Sequence, residues 1–179
     1  MKAIVWPKFG PPDVLQFSEV ETPTPTEDEV LFKVHASSLN GVDFEFVRGS
    51  WAARLTVGLL RPKNKIFGTD VSGRVEAVGK NVKQFQPGDE IIGDLISHGL
   101  GAFAEYVCAP AEALTLKPAS MSFEEAATYP QAAIIALQCL RGKKQIQPGD
   151  RVLINGAGGG NGYVRHPDCK IIWGRSYRC

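Results

Sequence analysis

Arg151-Val152-Leu153-Ile154-Asn155 reads as a buried strand and runs directly into Gly156-Ala157-Gly158-Gly159-Gly160-Asn161-Gly162. Glycines at the end of such a strand let backbone N–H groups approach a pyrophosphate at the start of a helix. The residues that follow do not supply that helix. Tyr163-Val164-Arg165-His166-Pro167-Asp168-Cys169-Lys170 is broken by Pro167 and shows no apolar face at i, i+3, i+4 spacing. A dinucleotide fold needs a helix there and further βα units behind it. The other reactive side chains are scattered. Cys108, Cys139, Cys169 and Cys179 share no C-x-x-C spacing, so they read as buried free thiols rather than as a disulfide frame or a zinc cluster.

The elements that must position this loop divide into two kinds. With 179 residues, 44% of them hydrophobic, the chain can bury a core as one domain plus a fragment. The first 117 residues are β-rich. Lys2 to Trp6, Val14 to Glu21, Glu29 to Ala36, Thr69 to Val78, Glu90 to Gly93, Ala102 to Cys108 and Ala113 to Leu116 read as strands. Gly68, Gly73 and Gly79 suggest bends or bulges, and Gln86-Pro87-Gly88-Asp89 a turn. Short strands so punctuated predict a small, partly open barrel. Gly49 to Lys65 reads as a long loop or weak helix, carrying Trp51, Leu55, Leu59 and Leu60 and ending in Arg61, Lys63 and Lys65.

Ser122-Phe123-Glu124-Glu125 then has the form of a capping box, and Gln131 to Leu140 that of a helix closed at Gly142. The formal net charge of +1 gives no electrostatic reason to expect nucleic acid or an anionic membrane as partner. The apolar run from Met1 to Trp6 ends at Pro7, too short for a signal peptide or a spanning helix, so a cytoplasmic protein is expected.

Several segments in this order resemble the medium-chain dehydrogenase/reductase family, in its zinc-free quinone-oxidoreductase and alcohol-dehydrogenase-like branch. They are Met1-Lys2-Ala3-Ile4, Gly10 to Leu15, Ser37 to Asp43, Gly68 to Val75, Gly79 to Val82, Phe85 to Asp89, Gly101 to Tyr106, Ala126 to Pro130 and the glycine-rich loop. The resemblance covers residues 1–162. It implies a mainly β, GroES-like, partly open barrel over residues 1–120, acting as substrate domain. Residues 121–162 would begin an α/β Rossmann domain binding NADP(H) or NAD(H), and 163–179 would be an aberrant tail. Implied with the fold is hydride transfer between the nicotinamide and a small carbonyl or quinone substrate, with a homodimer in the complete family members.

The resemblance also places individual residues. Asn40 and Asp43 fall at the catalytic position, where the Asn40 amide would hydrogen-bond a carbonyl developing negative charge and Asp43 would tie down its loop. Asn40 is alternatively a strand-end residue bonding its own backbone. Trp51 and Leu55 would line a hydrophobic substrate mouth or simply pack. Asn40, Thr128, Gly156, Ala157, Gly158, Gly159, Gly160 and Gly162 would contact the cofactor. Ile135 stands where many relatives have a threonine near the nicotinamide. Zinc-dependent members have Gly-His-Glu where this chain has Gly68-Thr69-Asp70, and His35 and His98 are isolated, so no metal is expected.

The tail is expected to result from a shifted reading frame. Relatives continue the loop with a helix of the type G-T-F-A-x-Q-I-A-K and a strand F-G-A-E-V-T-G-V. One permitted codon choice from Gly162 onward, read one base later, spells G-T-F-A-I-R-I-A-K-L-F-G-A-E-V-T-G. A one-base insertion near Asn161 therefore accounts for residues 163–179, and it implies a chain that binds cofactor weakly and lacks activity alone. The competing reading is a GroES-like module that binds a partner or small molecule without catalysis. A zinc alcohol dehydrogenase is disfavoured by Thr69-Asp70.

Overall fold

Along the longest strand, β3 (Glu29–Ser38), buried Val30 and Phe32 alternate with half-buried Leu31 and exposed Lys33, which turns one face inward. The computed structural model describes residues 1–140. Seven strands appear there: β1 (Lys2–Val5), β2 (Gln16–Glu19), β3, β4 (Asp70–Val78), β5 (Glu90–Asp94), β6 (Tyr106–Pro110) and β7 (Leu114–Leu116). Five of them form one antiparallel sheet in the order β6-β3-β4-β5-β7, while β1 and β2 make a separate hairpin. Single bridges, Ala3 to Ala104 and Val5 to Ile66, link the hairpin to the loops beside the sheet.

Two apolar clusters result. Val30, Phe32, Val71, Val75, Ile91, Leu95 and Val107 fill the space enclosed by the sheet. Trp6, Phe46, Val47, Val57 and Phe67 form the second, with the Trp6 and Phe67 rings edge to face at 5.4 Å. Each fully buried side chain of this size contributes roughly 1.5–3 kcal/mol. The pairing of β3 with β4 shifts register between Leu31 and Phe32 and again between Val34 and Ala36, which are the bulges that glycine content suggested. Gly73 is needed for close approach: a Cβ there would run into Lys33 O on β3.

Among the described residues there are four helices: α1 (Gly41–Arg48) and α2 (Trp51–Val57) between β3 and β4, then α3 (Phe123–Ala127) and α4 (Pro130–Leu140) after β7. Helix α1 is not among the sequence-based expectations, and α2 takes the helical alternative of the two offered for Gly49 to Lys65. Several expected strands are shorter than their apolar runs. Pro12–Val14 forms a 3-10 turn before β2, and β6 begins only at Tyr106 because Ala102 and Phe103 bond instead to the Phe67-Gly68 backbone. The capping box at α3 forms as expected, with Ser122 Oγ accepting from Glu125 N–H at 3.1 Å and Glu125 Oε2 from Ser122 N–H at 3.0 Å.

The chain divides into a unit spanning Met1–Pro130 and a second starting at Gln131. Helix α3 lies within the first unit. Ser72 Oγ on β4 donates to Phe123 O at 2.7 Å, and the His35 ring on β3 stacks on Phe123 at 4.2 Å. Of the cysteines, Cys108 is half-buried and Cys139 exposed, so the expectation of buried thiols fails at Cys139, which sits on an open face of α4. Burial and the nearby Glu29 carboxylate push the Cys108 thiol up to about 11. Among the described residues no helix is long and apolar enough to cross a membrane.

Candidate functional site

Ser38 at the end of β3 and Asp70 at the start of β4 are register partners, so the chain leaving β3 meets the chain entering β4. Asn40 sits at that meeting point as the N-cap of α1, with φ −110° and ψ 165°. Its backbone is held from both sides of the first turn. Asp43 Oδ2 accepts from Asn40 N–H at 2.7 Å, and Asn40 O accepts from Asp43 N–H at 3.1 Å. The helix therefore starts at Gly41 because Asn40 and Asp43 close on one another. Arg48 in the last turn and Gly49, at φ 69°, end it.

The Asn40 side chain faces the first turn of α1 in a capping box with Asp43 and also reaches across to the start of β4. Its Nδ2 donates to Asp70 Oδ2 at 3.1 Å and to Thr69 Oγ1 at 3.4 Å. Thr69 Oγ1 spends its one proton on Asp43 Oδ2 at 3.4 Å, so toward Asn40 it can only accept, and that fixes which edge of the amide faces it. Ser38 Oγ adds a donor to Asp70 Oδ2 at 3.5 Å, and Ser37 Oγ one to Asp70 O at 2.5 Å. Asn40, Asp43, Thr69 and Asp70 thus form one polar knot inside a wall of apolar strands, the last three at 0% exposure. Such a knot orders its members only when the partners are satisfied. One atom is not: Asp43 Oδ1 is buried without a hydrogen-bond partner among the described residues.

The electrostatics follow from that burial. Desolvation raises the Asp43 carboxyl from 3.8 to about 6, against the Asn40 N–H and Thr69 hydroxyl, which favour the charged form, while the Asp94 charge adds to the rise. Asp94 is itself raised by burial, offset by the Ile96 N–H at 2.9 Å and by His98.

The Asn40 side chain closes a capping box with the Asp43 backbone, and its amide donors are engaged by Thr69 and Asp70. The edge with hydrogen-bonding capacity left is Oδ1, an acceptor with two lone pairs, whereas a substrate carbonyl would need a donor. Thr69 and Asp70 were read only as absent zinc ligands, and their part in holding Asn40 was missed. No local pattern marks it, since the contact depends on pairing strands thirty residues apart.

Trp51 and Leu55 lie one turn apart on α2 and stand 78% and 67% exposed, so the packing reading of these two side chains fails. Neither lines the cavity of about 680 Å³ between α1, α2 and the loop after β5, whose walls include Val42, Glu45, Phe46, Thr56 and Ile96. Thr128 ends α3 with its hydroxyl donating to Glu125 O at 2.7 Å, away from the Asn40 knot in its bonding. Ile135 is 37% exposed on α4. Gly156, Ala157, Gly158, Gly159, Gly160 and Gly162 lie outside the described residues. Among the described residues no group of three or more His, Cys, Asp or Glu side chains is placed to hold a metal ion.

Comparison with known proteins accords with this geometry. Residues 26–119 match the alcohol dehydrogenase GroES-like domain. The tomato (Solanum lycopersicum) protein 2-methylene-furan-3-one reductase is 36% identical over an alignment of 183 residues, covering 98% of this chain and 46% of that protein. Quinone oxidoreductase of Sus scrofa is 35% identical, covering 90% of this chain and 47% of the relative. Among solved structures, the quinone oxidoreductase of Coxiella burnetii superposes with a TM-score of 0.80 at 36% identity, over 90% of this chain and 50% of that one. The Escherichia coli quinone oxidoreductase complexed with NADPH gives 0.77 at 28% identity, over 90% and 47%. The chain spans about half the length of the curated relatives it matches. With a mainly β GroES-like domain, the chain belongs to the medium-chain dehydrogenase/reductase family, in its zinc-free, quinone-oxidoreductase-like branch.

Proposed function

We propose that this chain forms the substrate-side part of an NAD(P)H-dependent oxidoreductase that reduces small quinones or conjugated carbonyl compounds without zinc. The observation that carries the reading is the Asn40 side chain, its Nδ2 held by Asp70 and Thr69 and its Oδ1 set at the first turn of α1, where a lone pair remains as an oriented acceptor. That acceptor suits a ribose hydroxyl or carboxamide N–H at the nicotinamide end of the cofactor. The pyrophosphate end falls to the glycine-rich loop, Gly156 to Gly162. When bound, the reduced nicotinamide supplies the hydride. The chain's own work is to orient that ring through Asn40 and to hold the substrate against an apolar wall. Trp51 and Leu55 are assigned to the mouth of that wall. Thr69 and Asp70 act through Asn40 and are positioning residues. We place the boundary between substrate and nucleotide-binding domains near residue 120, and assign a homodimer to the complete protein.

The test is loss of reduced-nicotinamide absorbance with a benzoquinone or an enal as acceptor, using the protein extended through a complete nucleotide-binding domain. Asn40→Ala is expected to lower kcat/KM by roughly a hundredfold, the scale for losing one oriented polar contact at a reacting centre. Specific small-molecule binding without turnover would instead support a stand-alone binding module. Turnover that depends on added zinc would sink the metal-free reading.

A further inference from the structure

A surface that shares only Trp51 and Leu55 with the assigned substrate mouth lies between residues 46 and 69. That stretch holds five cations, Arg48, Arg54, Arg61, Lys63 and Lys65, and no Asp or Glu, although the whole chain nets only +1. Arg54 is consumed internally: it donates to Gly49 O at 2.8 Å and to Leu59 O at 3.2 Å, with its guanidinium over the Phe9 ring. The other four are exposed, and none pairs with a carboxylate among the described residues. Beside them stand the most exposed large apolar side chains of the stretch, Trp51 at 78%, Leu55 at 67%, Leu59 at 65% and Leu60 at 87%.

Their presentation is built. Gly58 N–H bonds Arg54 O, and Lys63 N–H returns to Val57 O at 2.8 Å, so the turn after α2 folds back on the end of that helix. Gly58, at φ 132°, permits this, because a Cβ there would strike Arg61 O. Leu59 and Leu60 therefore project from a fixed turn next to Leu55, with Arg61 adjoining. Exposed Leu and Trp flanked by unpaired Lys and Arg is the signature of an element that seats its apolar tip among lipid chains and its cations among anionic headgroups. Nucleic acid fits less well, since base stacking calls for aromatic platforms and three of these four apolar tips are leucines.

We propose that Trp51–Lys65 docks this protein on an anionic lipid surface. The oxidoreductase reading is not needed for this, and the surface is a separate feature from the Asn40 knot. The experiment is co-sedimentation of the purified 179-residue chain with phosphatidylcholine vesicles, with and without phosphatidylserine. Binding is expected only with phosphatidylserine and is expected to weaken as salt rises. The triple variant Arg61→Gln, Lys63→Gln, Lys65→Gln should lower the partition coefficient by roughly a hundredfold, each cation near the surface being worth a several-fold factor. Leu59→Ser with Leu60→Ser should weaken binding while leaving far-UV circular dichroism unchanged. Equal binding to both vesicle types, binding untouched by the triple variant, or concentration-dependent self-association that Leu60→Ser abolishes would each overturn the proposal.

Discussion

Replacing Asp43 by Asn should change the pH dependence of stability in a direction set by one buried carboxyl. Asp43 is fully buried, and desolvation lifts it from 3.8 to about 6. A folded value above the unfolded one means that the folded state binds the proton more tightly. The neutral acid is then the stabilised form. Its contribution is fully present below the unfolded value and is lost as pH rises through about 6. A shift of this size corresponds to about 3 kcal/mol unscreened, and to about 2 kcal/mol once relaxation and solvent screening are allowed. An amide at position 43 can still accept from Asn40 N–H and the Thr69 hydroxyl, and it does not ionise. Wild type should therefore lose about 2 kcal/mol relative to Asp43→Asn between roughly pH 4 and pH 8, with most of the change centred below neutrality. Urea unfolding of both proteins across that range, followed by circular dichroism, gives the difference directly. Other carboxylates, Asp94 and Asp70 included, are common to both chains and largely cancel. A difference flat with pH would refute the reasoning. So would a wild type that gains on its variant as pH rises, since the ionised form would then be the stabilised one.

Four further outcomes test the fold and the metal-free reading. Gly79→Ala places a Cβ against Thr26 O and Glu27 O and should cost roughly 2–3 kcal/mol in thermal or urea unfolding, whereas Gly41→Ala, with nothing within 4 Å at the first position of α1, should stabilise by roughly 0.5–1 kcal/mol. Ser122→Ala removes the acceptor of Glu125 N–H and should cost about 1 kcal/mol, seen as faster amide exchange at the start of α3. A chelator should leave the melting temperature unchanged, because Asn40, Thr69 and Asp70 offer neither thiolate nor imidazole; a fall in Tm would mean that a metal is held by ligands not recognised in the chain.

What could be read in advance divides by how far apart the interacting residues are. Strands β3 and β4 were legible because alternation is local: Val30 and Phe32 take the buried positions of β3. The α3 capping box was legible for the same reason, three residues spanning both partners. Helix α1 was equally local, and the miss was avoidable, since Asn40, Asp43, Arg48 and Gly49 supply an N-cap, a first-turn acid, a last-turn base and a glycine stop. The resemblance drew attention to Asn40 as a catalytic residue, the alternative reading made it the end of a strand, and neither looked for the start of a helix. Thr69 and Asp70 are another matter, because their hold on Asn40 follows from Ser38 pairing with Asp70 across the sheet. A single sequence does not encode that register in any neighbouring residue. The same nonlocal contact decides the chemistry. An asparagine is a donor and an acceptor at once, and only the knowledge that Thr69 gives its proton to Asp43 tells which edge remains. Net charge is an average, and +1 over the whole chain is compatible with a stretch of five cations and no acid between residues 46 and 69. A whole-chain average therefore says little about partners, and the charge that a partner meets is that of the residues it touches.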